Sequence, residues 1–289
     1  MKDTVIIEAP AKVNLFLNIK GKRSDGYHEI ETIMHKISLA DKVVISRNDQ
    51  GIKVRSDNPF IPEGEDNLAY KAAMVFMEET GIKKGVNIYL EKNIPFEAGL
   101  GGGSSDAAAV LKGMNELYRC GISDEKLVEW AARIGSDVPF FILPGTALAR
   151  GRGEIITPFG KENFLNIVVI KPEFSLSTAE VYRSFRLAEV KKIPNLEAFL
   201  AAWEDCDIIR IAENMINVLE VPVLKIYPAI DKIKAKLEAS GALKALMSGS
   251  GSAVFGIFSS KKEAVEAYNS LRGHYPLVEL VLSYNRGDR

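Results

Sequence analysis

One stretch near the middle of the chain constrains the fold more than any other: Pro95-Phe96-Glu97-Ala98-Gly99-Leu100-Gly101-Gly102-Gly103-Ser104-Ser105-Asp106. Glycine stands at 99, 101, 102 and 103, and without a Cβ the backbone can take positive φ and approach a ligand closely. The stretch runs into Ala107-Ala108-Ala109-Val110-Leu111, which has a helical composition. Ser104, Ser105 and Asp106 are N-cap residue types, and the free N–H groups at a helix start carry partial positive charge. These features predict an anion cradle at a helix N-terminus, the arrangement that binds phosphate. By this reading a branched side chain at Gly102 would fill space the phosphates need. A flexible linker is the competing reading, but such linkers are flanked by polar, structureless sequence. Here the flanks are the strand-like Val86-Asn87-Ile88-Tyr89-Leu90 and a helix with Val110, Leu111, Met114 and Leu117 at its apolar positions.

Two familiar phosphate loops are excluded. A Walker A loop ends in Gly-Lys-Ser/Thr, whereas Gly103 is followed by Ser104. The dinucleotide fingerprint G-x-G-x-x-G fails from Gly99, where the sixth position is Ser104, and from Gly101, where it is Asp106. The cradle is of a third kind and contains no lysine.

Positive charge must therefore come from elsewhere, and the balance of the whole chain says little about where. With 37 basic and 38 acidic side chains the formal net charge is -1, which argues against a nucleic-acid or membrane-surface binder with a basic excess. At 289 residues, 47% of them apolar, the chain can bury the core of one large or two ordinary domains. Cys120 and Cys206 form neither a disulfide framework nor a zinc spacing, the usage of a protein in a reducing compartment. Glu8 interrupts the N-terminal apolar run before a signal-peptide core, and no segment approaches the roughly 20 apolar residues of a membrane span. A cytoplasmic protein is expected.

Along the chain, Val5–Ile7, Val13–Ile19, Ile30–Met34 and Val43–Ile45 read as strands separated by Gly21 and Asp25-Gly26. Alternation places Val13, Leu15, Leu17 and Ile19 on one face and Lys12, Asn14, Phe16 and Asn18 on the other. Asp66 or Asn67 caps a helix that stops at Gly81, and Ser123 caps one that runs to Gly135. Composition shifts near Gly160, so domains 1–160 and 161–289 are expected. The second half reads strand, helices, strand, strand, helix, strand, the order of a ferredoxin-like α+β unit with inserted helices.

Phosphoryl transfer spreads negative charge over the transferred oxygens, so a cradle without lysine needs a cation nearby. Lys12, on the same strand face as Asn14, is the candidate, although a lysine at a strand start is also the ordinary place for a solvated charge. Asp137 precedes the apolar run Val138-Pro139-Phe140-Phe141-Ile142-Leu143, where a carboxylate is expensive to bury unpaired. It suits both the N-cap of a short helix entered through Pro139 and a proton acceptor opposite Lys12. Tyr27 and His28, after the Asp25-Gly26 turn, combine an aromatic with a directional hydrogen-bonding group, as a planar heterocycle requires. His35 and His274 show no metal-ligand spacing.

Three segments in order, Pro10-Ala11-Lys12-Val13-Asn14-Leu15, Pro95 to Ser105, and Met247-Ser248-Gly249-Ser250-Gly251-Ser252-Ala253-Val254-Phe255, resemble the three motifs of the GHMP kinases, named for galactokinase, homoserine kinase, mevalonate kinase and phosphomevalonate kinase. The resemblance implies an α+β, two-domain fold: an N-terminal ribosomal-protein-S5-like α/β domain that binds ATP and a C-terminal ferredoxin-like domain. It implies transfer of phosphate from ATP, with Mg²⁺, to a substrate alcohol. Lys12 and Asp137 match the catalytic pair, Asp137 as general base and Lys12 as its orienting cation. Pro95, Phe96, Glu97, Ala98, Gly99, Leu100, Gly101, Gly102, Gly103, Ser104 and Ser105 would hold the phosphates, and Asn67 would lie near the adenine. Direct metal ligands are not assigned by the match.

Arg23-x-Asp25-Gly26-Tyr27-His28 and Gly135-Ser136-Asp137-Val138-Pro139-Phe140-Phe141 are similar to the branch of the family whose acceptor is a cytidine-diphosphate-linked methylerythritol. By that similarity Asn14, Tyr27, His28 and Tyr182 would bind a small-molecule substrate, the last by covering the opposite face of its base. The late glycine loop would close the site. The protein would act as a monomer or weak homodimer without nucleic-acid or membrane partners. A smaller acceptor, homoserine or a mevalonate-like alcohol, and a catalytically silent nucleotide- or sugar-binding regulator are the competing functions. Asp106 stands where relatives commonly carry asparagine, and its role is open.

Overall fold

Residues 3–284 are described by a computed structural model. Its framework is a long antiparallel hairpin, β1 (Thr4–Lys22) and β2 (His28–Asn48), into which the expected short strands merge. Gly21 lies within β1 rather than at a turn, and the reversal falls at the Asp25-Gly26 step. The merging has a physical basis, since register shifts between Pro10 and Ala11, Asn14 and Phe16, and Ile19 and Gly21 bend the ribbon without breaking its ladder.

The shift at Leu15 also reverses the expected side-chain alternation. Lys12 and Asn14 line the central cavity before it, and Leu17 and Ile19 do so after it. Phe16 leaves the Lys12 face and is fully buried in the core, with its ring 6.1 Å from that of Phe199. One extra residue moves every later side chain of a period-two strand to the other face.

After the hairpin come β3 (Ile52–Ser56), α1 (Leu68–Thr80), β4 (Gly85–Glu91), α2 (Gly102–Tyr118), α3 (Asp124–Ile134), α4 (Val138–Ile142), β5 (Thr146–Gly151) and β6 (Ile155–Pro158). The first sheet has the order β3-β4-β2-β1, with β5 on β2 and β6 on β5. Asn67 caps α1 by accepting from the Ala69 N–H at 2.8 Å, Gly81 ends it at φ 69°, and Ser123 caps α3. Helix α2 departs from the expected start. It begins at Gly102, with Gly101 at φ 75° as its cap residue, so Ser104, Ser105 and Asp106 lie inside the helix instead of capping it. The left-handed Gly101 turns the chain early, and glycines form the first helical turn.

The second half contributes β7 (Asn166–Lys171), α5 (Thr178–Ser184), α6 (Leu196–Glu204), α7 (Ile208–Asn214), β8 (Ile216–Asn217), α8 (Glu220–Ile226), α9 (Pro228–Ala239), β9 (Lys244–Met247), β10 (Val254–Phe258), α10 (Lys261–Leu271) and β11 (Leu277–Leu282). Its antiparallel sheet has the order β11-β7-β10-β9, the arrangement expected of a ferredoxin-like unit. The α+β expectation holds. Strand β8 pairs in parallel with Phe16 and Leu17 of β1, so the first sheet takes one strand from the second half.

Helices α1 to α4 bury one face of the first sheet through Phe76, Leu111, Met114, Trp130 and Phe140. A separate core joins the two sheets, with Phe16, Ile33 and Ile37 packed among Val169, Phe199, Trp203 and Phe255. Such burial contributes about 25 cal/mol per Å² of apolar surface removed from water. This shared core sets the separation of the sheets along which the functional groups lie.

Candidate active site

A cavity of about 1410 Å³ runs between the glycine loop, β1 from Lys12 onward, the turn at Tyr27 and helix α5. The glycine loop is clamped from both sequence halves. Lys12 donates its backbone N–H to the Leu100 carbonyl, and the Ala253 N–H donates to the Ala98 carbonyl at 3.0 Å. The Gly99 carbonyl accepts both from Lys12 Nζ and from the Ser248 hydroxyl, each at 2.9 Å. A positive φ is required at Gly99 and Gly101, both at 75°.

The Ser105 N–H makes the first intrahelical bond of α2, to the Gly101 carbonyl, leaving the N–H groups of Gly102, Gly103 and Ser104 without helical acceptors. Three N–H groups thus lie without helical partners at the loop, and the geometry at Gly102 departs from the expected one. A Cβ at Gly102 would meet Ile94 Cγ2 at 3.1 Å and Asp41 Oδ2 at 3.4 Å, pointing into the protein and not at a phosphate. At Gly103 the nearest atom is Leu68 Cδ1 at 3.9 Å, which leaves that position open.

Lys12 is 3% exposed, yet its ammonium reaches the cavity wall. It donates to Asn14 Oδ1 at 2.6 Å and stands 3.8 Å from Asp137 Oδ2. Asn14 donates in turn to the Thr32 hydroxyl at 2.8 Å, and that hydroxyl donates to the Phe16 carbonyl, a chain that fixes the orientation of the amide. Burial pushes the Lys12 ammonium below its ordinary value, and the Asp137 carboxylate opposes the shift.

Asp137 occupies the N-cap position of α4, with proline in the first turn, but its side chain makes no cap hydrogen bond. Nor is the carboxylate buried as expected: its side chain is 36% exposed, facing the cavity, because the apolar run that follows it turns into the core as α4. A carboxylate free of capping duty and open to a cavity can accept a proton from a bound hydroxyl.

At the other end of the cavity His28 packs on Tyr182, ring centroids 5.5 Å apart, and edge-on against Phe185 at 6.2 Å. Burial lowers the His28 imidazole, with Lys22 acting in the same direction, so the ring is neutral at neutral pH and can both donate and accept. Burial also raises the Tyr182 phenol, which stays protonated. Tyr27 is 56% exposed, with the Arg152 guanidinium 5.2 Å above its ring. Asn67 lines the cavity, but its amide is occupied by the Ala69 N–H and the Pro62 carbonyl.

All the nominated site residues except Ser105 line this one cavity; Ser105 is 1% exposed and faces inward from α2. The late loop does so through Gly249 and Ser250, the latter bonded to Thr178. Sequence reasoning missed Thr32, Phe185, Arg152, Lys92 and Asp41, and the role it left open for Asp106 is an ion pair with Lys92. Phe185 carried a readable signal, an aromatic three residues after Tyr182 at the end of α5. Arg152 did not, since the pairing of β5 with β2, which sets Gly151 opposite Ile30, brings it to Tyr27 only in the folded chain.

Family models for the GHMP kinases N-terminal domain and the GHMP kinases C-terminal region match residues 67–145 and 197–277. The chain belongs to the GHMP kinase family. A 4-diphosphocytidyl-2-C-methyl-D-erythritol kinase from Syntrophomonas wolfei is 52% identical, covering 98% of this chain and 100% of the relative. One from Acetivibrio thermocellus is 46% identical over 93% and 95% of the two chains. A crystal structure of 4-(cytidine 5'-diphospho)-2C-methyl-D-erythritol kinase matches with a TM-score of 0.83 and 37% identity, covering 97% of this chain and all of that one. Homoserine kinase from Cytophaga hutchinsonii has a TM-score of 0.78 at 20% identity, over 99% and 96% of the chains, and shares the fold. The family expected from the three ordered motifs is borne out.

Proposed function

We propose that this protein transfers the terminal phosphoryl group of ATP to the 2-hydroxyl of 4-diphosphocytidyl-2-C-methyl-D-erythritol, a step in non-mevalonate isoprenoid precursor synthesis. ATP as co-substrate follows from membership of the kinase family. The observation that carries the acceptor assignment is the grouping of His28, Tyr182 and Phe185 in the cavity that also holds Lys12 and Asp137. A neutral imidazole can read the hydrogen-bonding edge of a cytosine while Tyr27 and Tyr182 offer ring faces. Homoserine and mevalonate have no base to occupy such a pocket.

In this reading Asp137 accepts the proton of the 2-hydroxyl as its oxygen bonds to the terminal phosphorus, while the bond from that phosphorus to the bridging oxygen of ADP breaks. The proton leaves later from Asp137 to solvent. Lys12, held by Asn14 and the Gly99 carbonyl, stands beside Asp137 and faces the charge that develops on the transferred oxygens. Asn14 acts at the acceptor end chiefly through Lys12, since both ends of its amide are engaged. Pro95 to Ser105 form the phosphate cradle, with the N–H groups of Gly102, Gly103 and Ser104 as donors. Asn67 shapes the wall on the adenine side through the cap of α1. If the transition state is loose, positioning and electrostatics supply most of the rate.

Mg²⁺ fits this donor set. A nucleotide-bound Mg²⁺ needs only one or two protein oxygens besides phosphates and water. The Ser104 hydroxyl is a cavity-lining oxygen that would hold it, beside the phosphates and water. When bound, the ion neutralises charge on the phosphate oxygens.

Residues 1–160 and 161–289 act as the nucleotide-binding half and the closing half of the enzyme. A cytoplasmic monomer or weak homodimer with no nucleic-acid or membrane partner accords with the net charge of -1. Among the described residues no helix is long and apolar enough to cross a membrane. His28→Ala is expected to raise the KM of the cytidylyl acceptor by about 10-fold or more while leaving that of ATP unchanged. Equal effects on both substrates in steady-state kinetics, or none on the acceptor, would refute the base-binding role.

A further inference from the structure

An ionic cluster that the transfer chemistry does not use lies beneath the first turn of α2. Lys92, just past β4, holds its ammonium between the Asp41 and Asp106 carboxylates, 2.5 Å from Asp106 Oδ2 and in direct contact with Asp41 Oδ2. None of the three side chains is more than 4% exposed. Asp41 Oδ1 accepts the backbone N–H groups of Asn93 at 2.6 Å and Ile94 at 2.8 Å, the residues that lead into Pro95. Asp106 is on α2 itself, and its Oδ1 is buried with no hydrogen-bond partner. The cluster therefore ties the entry of the glycine loop to the helix at its exit, and a Cβ on Gly102 would come within 3.4 Å of Asp41 Oδ2.

We propose that Lys92, Asp41 and Asp106 are positioning residues of the nucleotide cradle, tying the loop entry to α2 and so fixing the N–H groups of Gly102, Gly103 and Ser104 toward the phosphates. The inference rests on the reading of the glycine loop as the ATP site. Two carboxylates from different elements, Asp41 on β2 and Asp106 on α2, share the one ammonium of Lys92 from the segment after β4, so loss of that ammonium leaves both without their counter-charge and releases the loop entry from the helix.

The test is calorimetric titration of the full chain with ADP at pH 7.5, comparing wild type with Lys92→Met and Asp106→Asn, each checked for folding by its thermal midpoint. Lys92→Met removes the ammonium that joins the two carboxylates and is expected to weaken ADP binding by about 10-fold, with the acceptor KM unchanged. Asp106→Asn keeps an oxygen for Lys92 and is expected to hold ADP affinity within about 3-fold of wild type. Should Lys92→Met fail to fold, Asp106→Leu, which removes the tie to the helix, takes its place with the same expected loss. A folded Lys92→Met or Asp106→Leu with wild-type ADP affinity overturns the proposal. Failure of the wild type itself to bind ADP overturns the ATP-site reading and the proposal with it.

Discussion

Asp137→Asn is expected to lower kcat by at least about 100-fold while ADP affinity stays within about 2-fold of wild type. The amide keeps the size of the carboxylate and removes its ability to accept a proton. It also removes the anion placed against Lys12, whose Nζ stands 3.8 Å from Asp137 Oδ2. Because Asp137 makes no cap hydrogen bond to α4, the substitution breaks no bond that holds the helix. The loss should therefore appear in turnover and not in the unfolding midpoint. A variant with near-normal kcat would remove Asp137 from the chemistry. One with lost stability and normal residual chemistry would make it a structural residue.

Gly99→Ala should cost both stability and activity, because Gly99 is where the two glycine-rich loops touch. Its φ of 75° disfavours any side chain, and an added Cβ would come 2.1 Å from the Ser248 carbonyl oxygen and 3.0 Å from the Gly251 nitrogen. Neither neighbour is a flexible side-chain end, so one loop must move. Moving it breaks the bonds that Lys12 and Ser248 make to the Gly99 carbonyl, and with them the placement of the Lys12 ammonium. A loss of about 2–3 kcal/mol in denaturant unfolding is expected. A fall in kcat/KM of at least about 100-fold should accompany it, since small displacements of reacting groups carry penalties of that size. Gly103→Ala is the contrast. It sits in the helix with open space around the added carbon, so stability should hold or rise by up to about 1 kcal/mol, and any effect should fall on nucleotide affinity. Equal stability of the Gly99 and Gly103 variants would contradict the clamp.

How much of this was legible in the sequence follows from the range over which each interaction acts. The glycine loop, the Asn67 and Ser123 caps and the Gly81 stop are local, and their residue chemistry announces them. The pairing of Lys12 with Asp137 spans most of the first half, yet it could be anticipated because a cradle without lysine requires a distant cation. The bulge at Leu15 was invisible. A period-two pattern continues unbroken in the sequence when one residue is inserted into the ladder, and only the partner strand shows that Asn14 pairs with Met34 and Phe16 with Ile33. The start of α2 was misjudged by cap preferences, since a left-handed Gly101 opens the helix without a side-chain cap. The Lys92 cluster lay beyond local reasoning altogether. Its members come from β2, the segment after β4, and α2, and only folding brings two acids to one base.

The measurement that bears most directly on the account is phosphorus NMR of the products formed from ATP with each of three acceptors: 4-diphosphocytidyl-2-C-methyl-D-erythritol, homoserine and mevalonate. The account predicts ADP and a new phosphomonoester on the 2-hydroxyl of the first acceptor, with no turnover of the other two above the enzyme-free rate. Phosphorylation of homoserine or mevalonate with the cytidylyl compound left untouched would contradict it.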